Sequence, residues 1–232
     1  MKSIICENFG PLNSLVYKEV ETPEIQNPSD VLIKVFSSGV NFPDGLLVQG
    51  KYQLKPPVPF TPGMEVSGEV LSIGSEVTEF KIGDRVAGLS QLGGYSEYIV
   101  LNKNAVYKIP LEMNHDQACA LLCAYGTSHY ALKQRAQLKK GNTLVVLGAS
   151  GSTGVAAIQI GKTMGAKVIA ASSSIEKQQY TKGLGADITI GYDNIKDQLK
   201  DLTNNIGVDV IFDPVGGEPV SYTHLRAHET LN

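Results

Sequence analysis

The sequence has no excess of charge of one sign, no long apolar run and almost no cysteine. Its 232 residues carry 20 Lys and Arg against 23 Asp and Glu, a formal net charge of −3 with no basic stripe, so it lacks the electrostatic footprint of a nucleic-acid-binding protein. The longest apolar stretches, such as residues 118–125, are far shorter than the about 20 residues that cross a bilayer. The first residues reach Glu7 without an apolar core, which argues against a signal peptide.

The three cysteines are Cys6, Cys119 and Cys123, too few and too unevenly placed for a disulfide framework, so we expect a cytoplasmic protein. Cys119 and Cys123 have the spacing of neighbours on one helix face, which could bind a metal, but in an apolar helix we interpret them as core residues. The remaining composition is ordinary, with 42% hydrophobic and 19% charged residues. It fits one large globular domain or two modest ones.

The first half of the chain has a β-rich pattern. Short segments rich in β-branched residues alternate with Gly and Pro turns, which is typical of strands. The predicted strands are residues 31–37, 68–73, 85–88 and 96–100, and residues 43–49 are predicted as a short helix with Pro43 in its first turn.

From Asn114 onwards, predicted helices and strands alternate. Asn114 and Gln117 have the spacing of a capping box. The predicted helices are 116–123, 127–137, 153–164, 176–184 and 195–204, and the predicted strands are 143–147, 167–171, 187–190 and 208–213. This alternation predicts a parallel sheet covered on both faces, with four strands where a complete dinucleotide-binding sheet has about six.

The strongest functional signal is the turn GASGSTG at residues 148–154, which follows one predicted strand, opens a helix and precedes a second strand. This is the context that a dinucleotide-binding turn requires. Aligned on G-x-G-x-x-G, Ala149, Gly151 and Gly154 take the three small-residue positions, and the helix that follows offers unpaired N–H groups to a pyrophosphate. The residues predicted to bind the dinucleotide here are Ala149, Ser150, Gly151, Ser152, Thr153, Gly154 and Val155.

The end of the second predicted strand indicates which dinucleotide binds. An NAD site carries Asp or Glu about 20 residues after the turn, where it holds the ribose 2′-hydroxyl. Here residues 170–174 contain no carboxylate, and Lys177 follows shortly after. Hydroxyls and a lysine suit a 2′-phosphate, which a carboxylate would repel. The predicted cofactor is therefore NADPH.

Further motifs occur in a fixed order: GVNFPD at 39–44, GKY at 50–52, PGME at 62–65, GDRV at 83–86, GGYSE at 93–97 and AYGTS at 124–128. Together with GASGSTG they resemble the medium-chain dehydrogenase/reductase superfamily, and within it the zeta-crystallin-like NADPH:quinone oxidoreductases. The resemblance covers about residues 1–220. It implies an α/β protein with a GroES-like β-barrel catalytic domain, residues 1–118, followed by a partial Rossmann doubly wound parallel sheet, residues 119–220.

The same resemblance implies the pocket residues. Asn41, Asp44 and Tyr52 match positions that line the nicotinamide and substrate pocket. Asn41 could donate to a developing oxyanion and Tyr52 could donate or stack, although Asp44 could instead cap the short helix and Tyr52 could fill the barrel. Leu46 stands where a tyrosine is common in these relatives, so we expect a different substrate preference.

The resemblance also implies contacts to the cofactor. Thr127 matches a position near the nicotinamide carboxamide. Ser173, Lys177 and Tyr192 match positions around the 2′-phosphate of NADPH. The position of Lys177 in the family therefore agrees with the inference, made above from charge, that a lysine after the second strand binds a 2′-phosphate.

No metal is predicted. Zinc-dependent relatives carry a cysteine where this chain has Asn41 and a histidine where it has Met64, and neither residue present is a zinc ligand. Residues 86–118 contain no cysteine, so the four-cysteine zinc lobe has no counterpart. The chemistry that remains is direct hydride transfer to an electrophilic acceptor. A quinone is the leading acceptor, an activated alkene (an α,β-unsaturated carbonyl or enoyl thioester) is the alternative, and a non-catalytic NADPH-binding protein is a third hypothesis.

The end of the chain departs from the resemblance. Residues 221–232 match nothing expected of the next helix, and we expect a non-native tail on a C-terminally truncated fragment that is poorly soluble or inactive by itself. The complete protein is expected to be a homodimer that acts on small molecules, with no nucleic-acid or membrane partner.

Overall fold

The computed structural model describes residues 1–216 of the chain. Its contacts divide into two units, Met1–Cys123 and the part from Ala124 onwards, with the boundary inside one helix. The predicted division between residues 118 and 119 falls in the same helix and stays a prediction. The predicted tail at 221–232 lies outside the described residues, as does the end of the predicted second domain.

The first unit is built on antiparallel strands. They are β1 (Lys2–Ile5), β2 (Val16–Glu19), β3 (Asp30–Gly39), β4 (Glu65–Ile73), β5 (Arg85–Leu89), β6 (Tyr98–Asn102) and β7 (Val106–Lys108), and helix α1 is Phe42–Val48. Five of the strands form a sheet of order β6-β3-β4-β5-β7, and β1 pairs with β2. Val31 and Ile33 on β3 and Val66 and Val70 on β4 are buried in one core, because alternate residues of a strand share a face.

The β-rich prediction for the first half is confirmed, with differences at strand ends. The strand predicted at 96–100 begins only at Tyr98, because Ser96 instead forms an isolated bridge with Ser3. Strands β1, β2 and β7 were not predicted. They are short, and β2 is exposed along its whole length, so no apolar alternation marks it.

The second unit contains a parallel sheet. Its strands are β8 (Thr143–Val146), β9 (Lys167–Ala171), β10 (Ile188–Ile190) and β11 (Val210–Phe212), in the order β10-β9-β8-β11. The helices are α2 (His115–His129), which begins in the first unit, α3 (Ser152–Thr163), α4 (Ile175–Gly183) and α5 (Ile195–Leu202). Alternate strand residues face opposite cores: Leu144 packs with Ile158 of α3, and Val145 packs with Leu199 of α5. The predicted covered parallel sheet is confirmed.

The prediction of two separate helices at 116–123 and 127–137 is wrong. Helix α2 runs unbroken from His115 to His129 and continues as a π-helical segment, Tyr130–Arg135. Gly126 lowers helix propensity, but the helix passes through it. The predicted capping box is confirmed: the Gln117 N–H donates to Asn114 Oδ1 at 2.8 Å, and the Asn114 N–H donates to Gln117 Oε1 at 3.2 Å.

Membrane-spanning segments were searched for among the helices of residues 1–216, and none of these helices is long and apolar enough to cross a bilayer.

Candidate functional site

The predicted phosphate turn lies where the strand order of the second unit reverses. Strands β9 and β10 follow on one side of β8, and β11 pairs with β8 on the other side. The strand order therefore reverses between β8 and β11. In open parallel sheets ligands bind at the carboxyl ends of the strands where such a reversal occurs.

The turn itself has the geometry of an anion cradle. Gly148 has a φ of +56°, the Gly151 N–H donates to the Gly148 carbonyl at 2.9 Å, and α3 starts directly after Gly151. A Cβ on Gly154 would lie 2.4 Å from the Gly148 oxygen, so only glycine lets the helix pack this closely on the turn. The first N–H groups of a helix have no acceptor within it and carry its positive dipole end, which suits a phosphate.

The other predicted residues of this region surround the turn. Ala149 is fully buried, and its N–H donates to the Ala171 carbonyl at the end of β9, at 3.1 Å. Thr127 is exposed on α2, and its neighbour Ser128 donates to the Thr153 carbonyl at 2.8 Å. This bond holds the end of α2 against the start of α3. The remaining members of the predicted set, Ser150, Ser152 and Val155, are partly or fully accessible.

Ser173 and Lys177 are brought together just after β9. Lys177 Nζ donates to Ser173 Oγ at 3.4 Å, and both residues are exposed. Ser174 caps helix α4, since its Oγ accepts the Lys177 N–H at 3.3 Å. A lysine and a hydroxyl thus lie together where a carboxylate would stand in an NAD site.

Tyr192 lies between the turn and the end of β9. Its hydroxyl accepts the Gly148 N–H at 2.7 Å and donates to the Ala171 carbonyl at 3.2 Å. The single hydroxyl hydrogen is therefore used within the protein. The predicted contact of Tyr192 with a 2′-phosphate stays a prediction.

In the first unit, Asn41 and Asp44 meet at the start of α1. The Asn41 N–H donates to Asp44 Oδ2 at 2.8 Å, and the Tyr95 hydroxyl donates to the same oxygen at 2.8 Å. Asp44 is only 3% exposed. Burial raises the pKa of Asp44, and the bonds from Asn41 and Tyr95 offset part of that rise.

Glu65, at the start of β4, extends this group into a hydrogen-bonded cluster of Asn41, Asp44, Glu65 and Tyr95. Glu65 Oε1 accepts a hydrogen bond from Asn41 Nδ2 at 2.8 Å, and Oε2 accepts the Cys123 N–H at 2.7 Å. Burial raises the pKa of Glu65, these two bonds lower it, and the charge of Asp44 raises it. Two buried carboxyl groups thus lie within one hydrogen-bonded cluster.

A cavity of about 390 Å³ lies beside α1 in the first unit. Asn41, Asp44, Gln49 and Tyr95 are its polar lining, and the rest is mostly apolar: Leu12, Leu15, Val40, Phe42, Gly45, Leu46 and Val48. The structure therefore brings the predicted residues Asn41 and Asp44 to one cavity. Tyr52 does not line it and packs instead against a core cluster that contains Leu47 and Phe60.

Sequence reasoning missed Tyr95 and Glu65 as members of this site. Both lie in motifs that the sequence shows, GGYSE and PGME. The glycine of the second motif offers a signal, because a Cβ on Gly63 would lie 2.6 Å from Tyr95 Cδ1. That glycine is needed where Tyr95 packs, but the contact is recognisable only once the two segments are together.

Metal-binding groups were searched for as well. Across residues 1–216, no three His, Cys, Asp or Glu side chains are grouped as metal ligands would be. Cys119 is buried, its thiol donates to the Asp116 carbonyl at 3.3 Å, and burial together with the charges of Glu65 and Asp116 raises its pKa to about 11.

Comparison with known proteins adds the family. The alcohol dehydrogenase GroES-like domain family matches residues 27–111, and the zinc-binding dehydrogenase family matches residues 152–228. The quinone oxidoreductase-like protein 2 homolog of Nematostella vectensis is 42% identical over 221 residues, which are 94% of this chain and 60% of that protein. The chain thus spans about 60% of the length of the curated relatives it matches.

Two solved structures are also similar. The quinone oxidoreductase of Pseudomonas syringae pv. Tomato DC3000 is 36% identical with a TM-score of 0.88, and the match covers 94% of this chain and 67% of that one. The quinone oxidoreductase of Thermus thermophilus, solved also in complex with NADPH, is 31% identical with a TM-score of 0.82, over 94% and 68% of the two chains. The predicted GroES-like domain followed by a Rossmann-type sheet is confirmed. The chain belongs to the medium-chain dehydrogenase/reductase superfamily, in its quinone oxidoreductase-like family.

Proposed function

We propose that the protein is an NADPH-dependent oxidoreductase that transfers a hydride to quinones without zinc. The observation that carries this proposal is the Ser173–Lys177 pair at the carboxyl end of β9, in a unit whose phosphate turn requires glycine at 154. The ammonium group of the lysine and the hydroxyl of the serine can both donate hydrogen bonds to a 2′-phosphate. The NADPH complex of the Thermus relative supports the same cofactor.

The residues of the second unit fit this cofactor. The N–H groups at the start of α3 would hold the pyrophosphate, and Ser173 with Lys177 would hold the 2′-phosphate. Thr127, exposed on α2, is proposed to contact the nicotinamide carboxamide. NADPH, when bound, supplies the hydride, and the protein binds and orients the cofactor and the acceptor.

The first unit supplies a site for the acceptor. The cavity beside α1 is mostly apolar, which suits a quinone ring. Reduction places negative charge on a quinone oxygen, and a donor at that oxygen stabilises the transition state. We assign this role to the side chain of Asn41, with Asp44 holding the backbone of Asn41 in place through the 2.8 Å bond to its N–H.

We propose that the reaction does not use zinc because of the residues at the two positions that bind zinc in the zinc-dependent relatives. Asn41 and Met64 stand at the two ligand positions of the zinc-dependent relatives, and an amide and a thioether are poor zinc ligands. A second candidate function is reduction of an activated alkene. Leu46 favours it, because this residue makes the cavity wall apolar at a position where a tyrosine is common in the relatives.

The test is a parallel assay of the purified full-length protein with 1,4-benzoquinone and crotonyl-CoA, following NADPH absorbance. We expect faster oxidation with the quinone, and a fall of about 100-fold in kcat/KM for Asn41→Ala, as for a lost oxyanion donor. Asn104→Ala, at an exposed asparagine of the same unit, is the matched control. Faster turnover of the enoyl thioester would favour the alkene reductase, and NADPH binding without oxidation by either acceptor would favour a non-catalytic protein.

A further inference from the structure

Glu65 and Gly39 form an unusually close pair across the antiparallel strands β3 and β4. They are directly opposite in the register of the two strands. A Cβ on Gly39 would lie 2.3 Å from Glu65 Oε1 and 2.7 Å from its Cδ. The carboxyl group therefore lies over the backbone of Gly39, and only the missing side chain at 39 lets Glu65 adopt this position.

Two donors then determine what the carboxyl group does. The Cys123 N–H, which can only donate, faces Glu65 Oε2 at 2.7 Å. Asn41 Nδ2 faces Oε1 at 2.8 Å. Both oxygens of Glu65 thus accept a hydrogen bond, and the amide of Asn41 presents its NH2 to Glu65. One hydrogen of that NH2 pairs with Glu65, and the other can donate to an acceptor, as the proposed oxyanion role requires.

Within residues 1–216, these two hydrogen bonds are what compensates the burial of the Glu65 carboxyl group. Glu65 is 3% exposed, so water cannot replace either donor. The ion pairs that lysine side chains form within residues 1–216 are with carboxylates other than that of Glu65. A buried polar group without a partner is costly, so the bonds to Asn41 and Cys123 are needed to keep Glu65 in place.

We propose that Glu65 is a positioning residue that sets the orientation of the Asn41 side-chain amide, and thereby the direction in which its second N–H points. That this N–H meets the acceptor rests on the proposed function, in which Asn41 contacts the quinone. The orientation itself rests on the contacts of Glu65 with Gly39, Asn41 and Cys123, and it agrees with the capping box of α1, in which the Asn41 side chain faces the N–H of Asp44.

The variant Glu65→Gln tests this because it preserves size, removes the carboxyl charge and replaces one acceptor oxygen by a donor NH2. The carbonyl oxygen of the new glutamine has to face the Cys123 N–H, since two donors cannot pair. Its NH2 then faces Asn41, which has to turn its own oxygen towards it. The matched control is Glu69→Gln, the same chemical change at a half-buried position on the same strand.

The orientation is read from NMR spectra of protein labelled with ¹⁵N at asparagine, where the Asn41 side-chain signals are those missing in Asn41→Asp. We expect both amide proton signals of Asn41 to move in Glu65→Gln and to stay in place in Glu69→Gln. In the quinone assay, Glu65→Gln should lower kcat/KM about tenfold, the equivalent of one hydrogen bond, while the Kd for NADPH changes less than twofold.

A second variant keeps the test decisive if Glu65→Gln unfolds. Asn41→Asp alone sets two carboxyl groups against each other, whereas Asn41→Asp combined with Glu65→Gln exchanges amide and carboxylate across the same contact. The double variant should unfold at a higher temperature than Asn41→Asp alone. The proposal is overturned if the double variant unfolds at the same temperature as Asn41→Asp, or if the Asn41 signals do not move in folded Glu65→Gln. It is also overturned if Glu69→Gln lowers kcat/KM as much as Glu65→Gln does. Loss of the proposed function is distinguishable, because absence of quinone reduction in the unchanged protein leaves the NMR and unfolding results valid.

Discussion

The hydroxyl of Tyr95 donates a hydrogen bond to Oδ2 of Asp44 at 2.8 Å, between residues 51 positions apart in the chain. The bond joins the loop after β5 to the first turn of α1. Burial raises the pKa of Tyr95, and the bond to Asp44 and the charges of Asp44 and Glu65 raise it further. The phenol therefore stays protonated and remains the donor across the neutral range.

We expect Tyr95→Phe to lower the free energy of unfolding by about 1–2 kcal/mol, because Asp44 loses a donor in a buried site. Urea denaturation at pH 7 measures the change. Tyr17→Phe is the control, since Tyr17 is 67% exposed, and it should have no measurable effect. Equal effects of the two substitutions would contradict this assignment.

Gly39→Ala should be destabilising by about 2–3 kcal/mol, because the new methyl group would lie 2.3 Å from Glu65 Oε1 and displace a carboxyl group with two hydrogen bonds. Gly183→Ala is the control. At the end of α4 an added Cβ at 183 meets nothing within 4 Å, so alanine there should stabilise the protein by about 0.5–1 kcal/mol. Thermal and urea unfolding of both variants measure whether the free energy of unfolding falls in Gly39→Ala and rises in Gly183→Ala.

The ion pair of Asp187 with Lys162 predicts a pH dependence of stability. Burial acts to raise the pKa of Asp187, but the bonds from Lys162 at 2.6 Å and the Val168 N–H at 2.7 Å, with the charges of Lys162 and Lys182, outweigh it. The pKa of Asp187 thus lies below its ordinary value. The stabilisation is complete above the unfolded-state pKa, about 3.9, and is lost as the pH falls through the folded-state pKa.

We therefore expect Asp187→Asn to lower the free energy of unfolding by about 1 kcal/mol at pH 7, an amount reduced by solvent screening because both side chains are 35% exposed. Asp197→Asn, at a 72% exposed side chain, should change it little. The difference between Asp187→Asn and the unchanged protein should shrink in urea titrations below pH 4. A difference that persists at low pH would show that charge is not its source.

Tyr192 provides a test that separates support of the phosphate turn from contact with the 2′-phosphate. Its hydroxyl joins Gly148 to Ala171, so Tyr192→Phe should weaken binding of NADPH and NADH by the same factor, about threefold to tenfold. Fluorescence titration with each dinucleotide measures this. A loss confined to NADPH would instead assign the hydroxyl to the 2′-phosphate.

Local signals in the sequence predicted local structure well. The capping box of Asn114 and Gln117 forms both of its bonds, because its two residues lie within one turn of the helix. The strand–turn–helix at 143–164 was likewise predicted, since apolar runs and glycines within a short segment specify it. The break predicted between two helices near Gly126 was wrong, because a lone glycine lowers helix propensity by an amount that the rest of a long helix can offset.

Contacts between distant segments could not be predicted in this way. The bond between Asn41 and Glu65 depends on the register of β3 with β4, and the Tyr95–Asp44 bond depends on where the loop after β5 lies. The hydrophobic pattern restricts the register to shifts that keep the same face buried, but it does not choose among those shifts and does not say where a loop lies. The motifs nevertheless identified the right segments, so Glu65 and Tyr95 were recognisable as motif members although their partners were not.

The most direct test of the central claim is a titration of the purified full-length protein with NADPH and with NADH, in the unchanged form and as Lys177→Ala. NADPH should bind at least about tenfold more tightly than NADH, and Lys177→Ala should remove most of that preference by weakening NADPH alone. Equal affinities for the two dinucleotides, or a preference that survives in Lys177→Ala, would contradict the account.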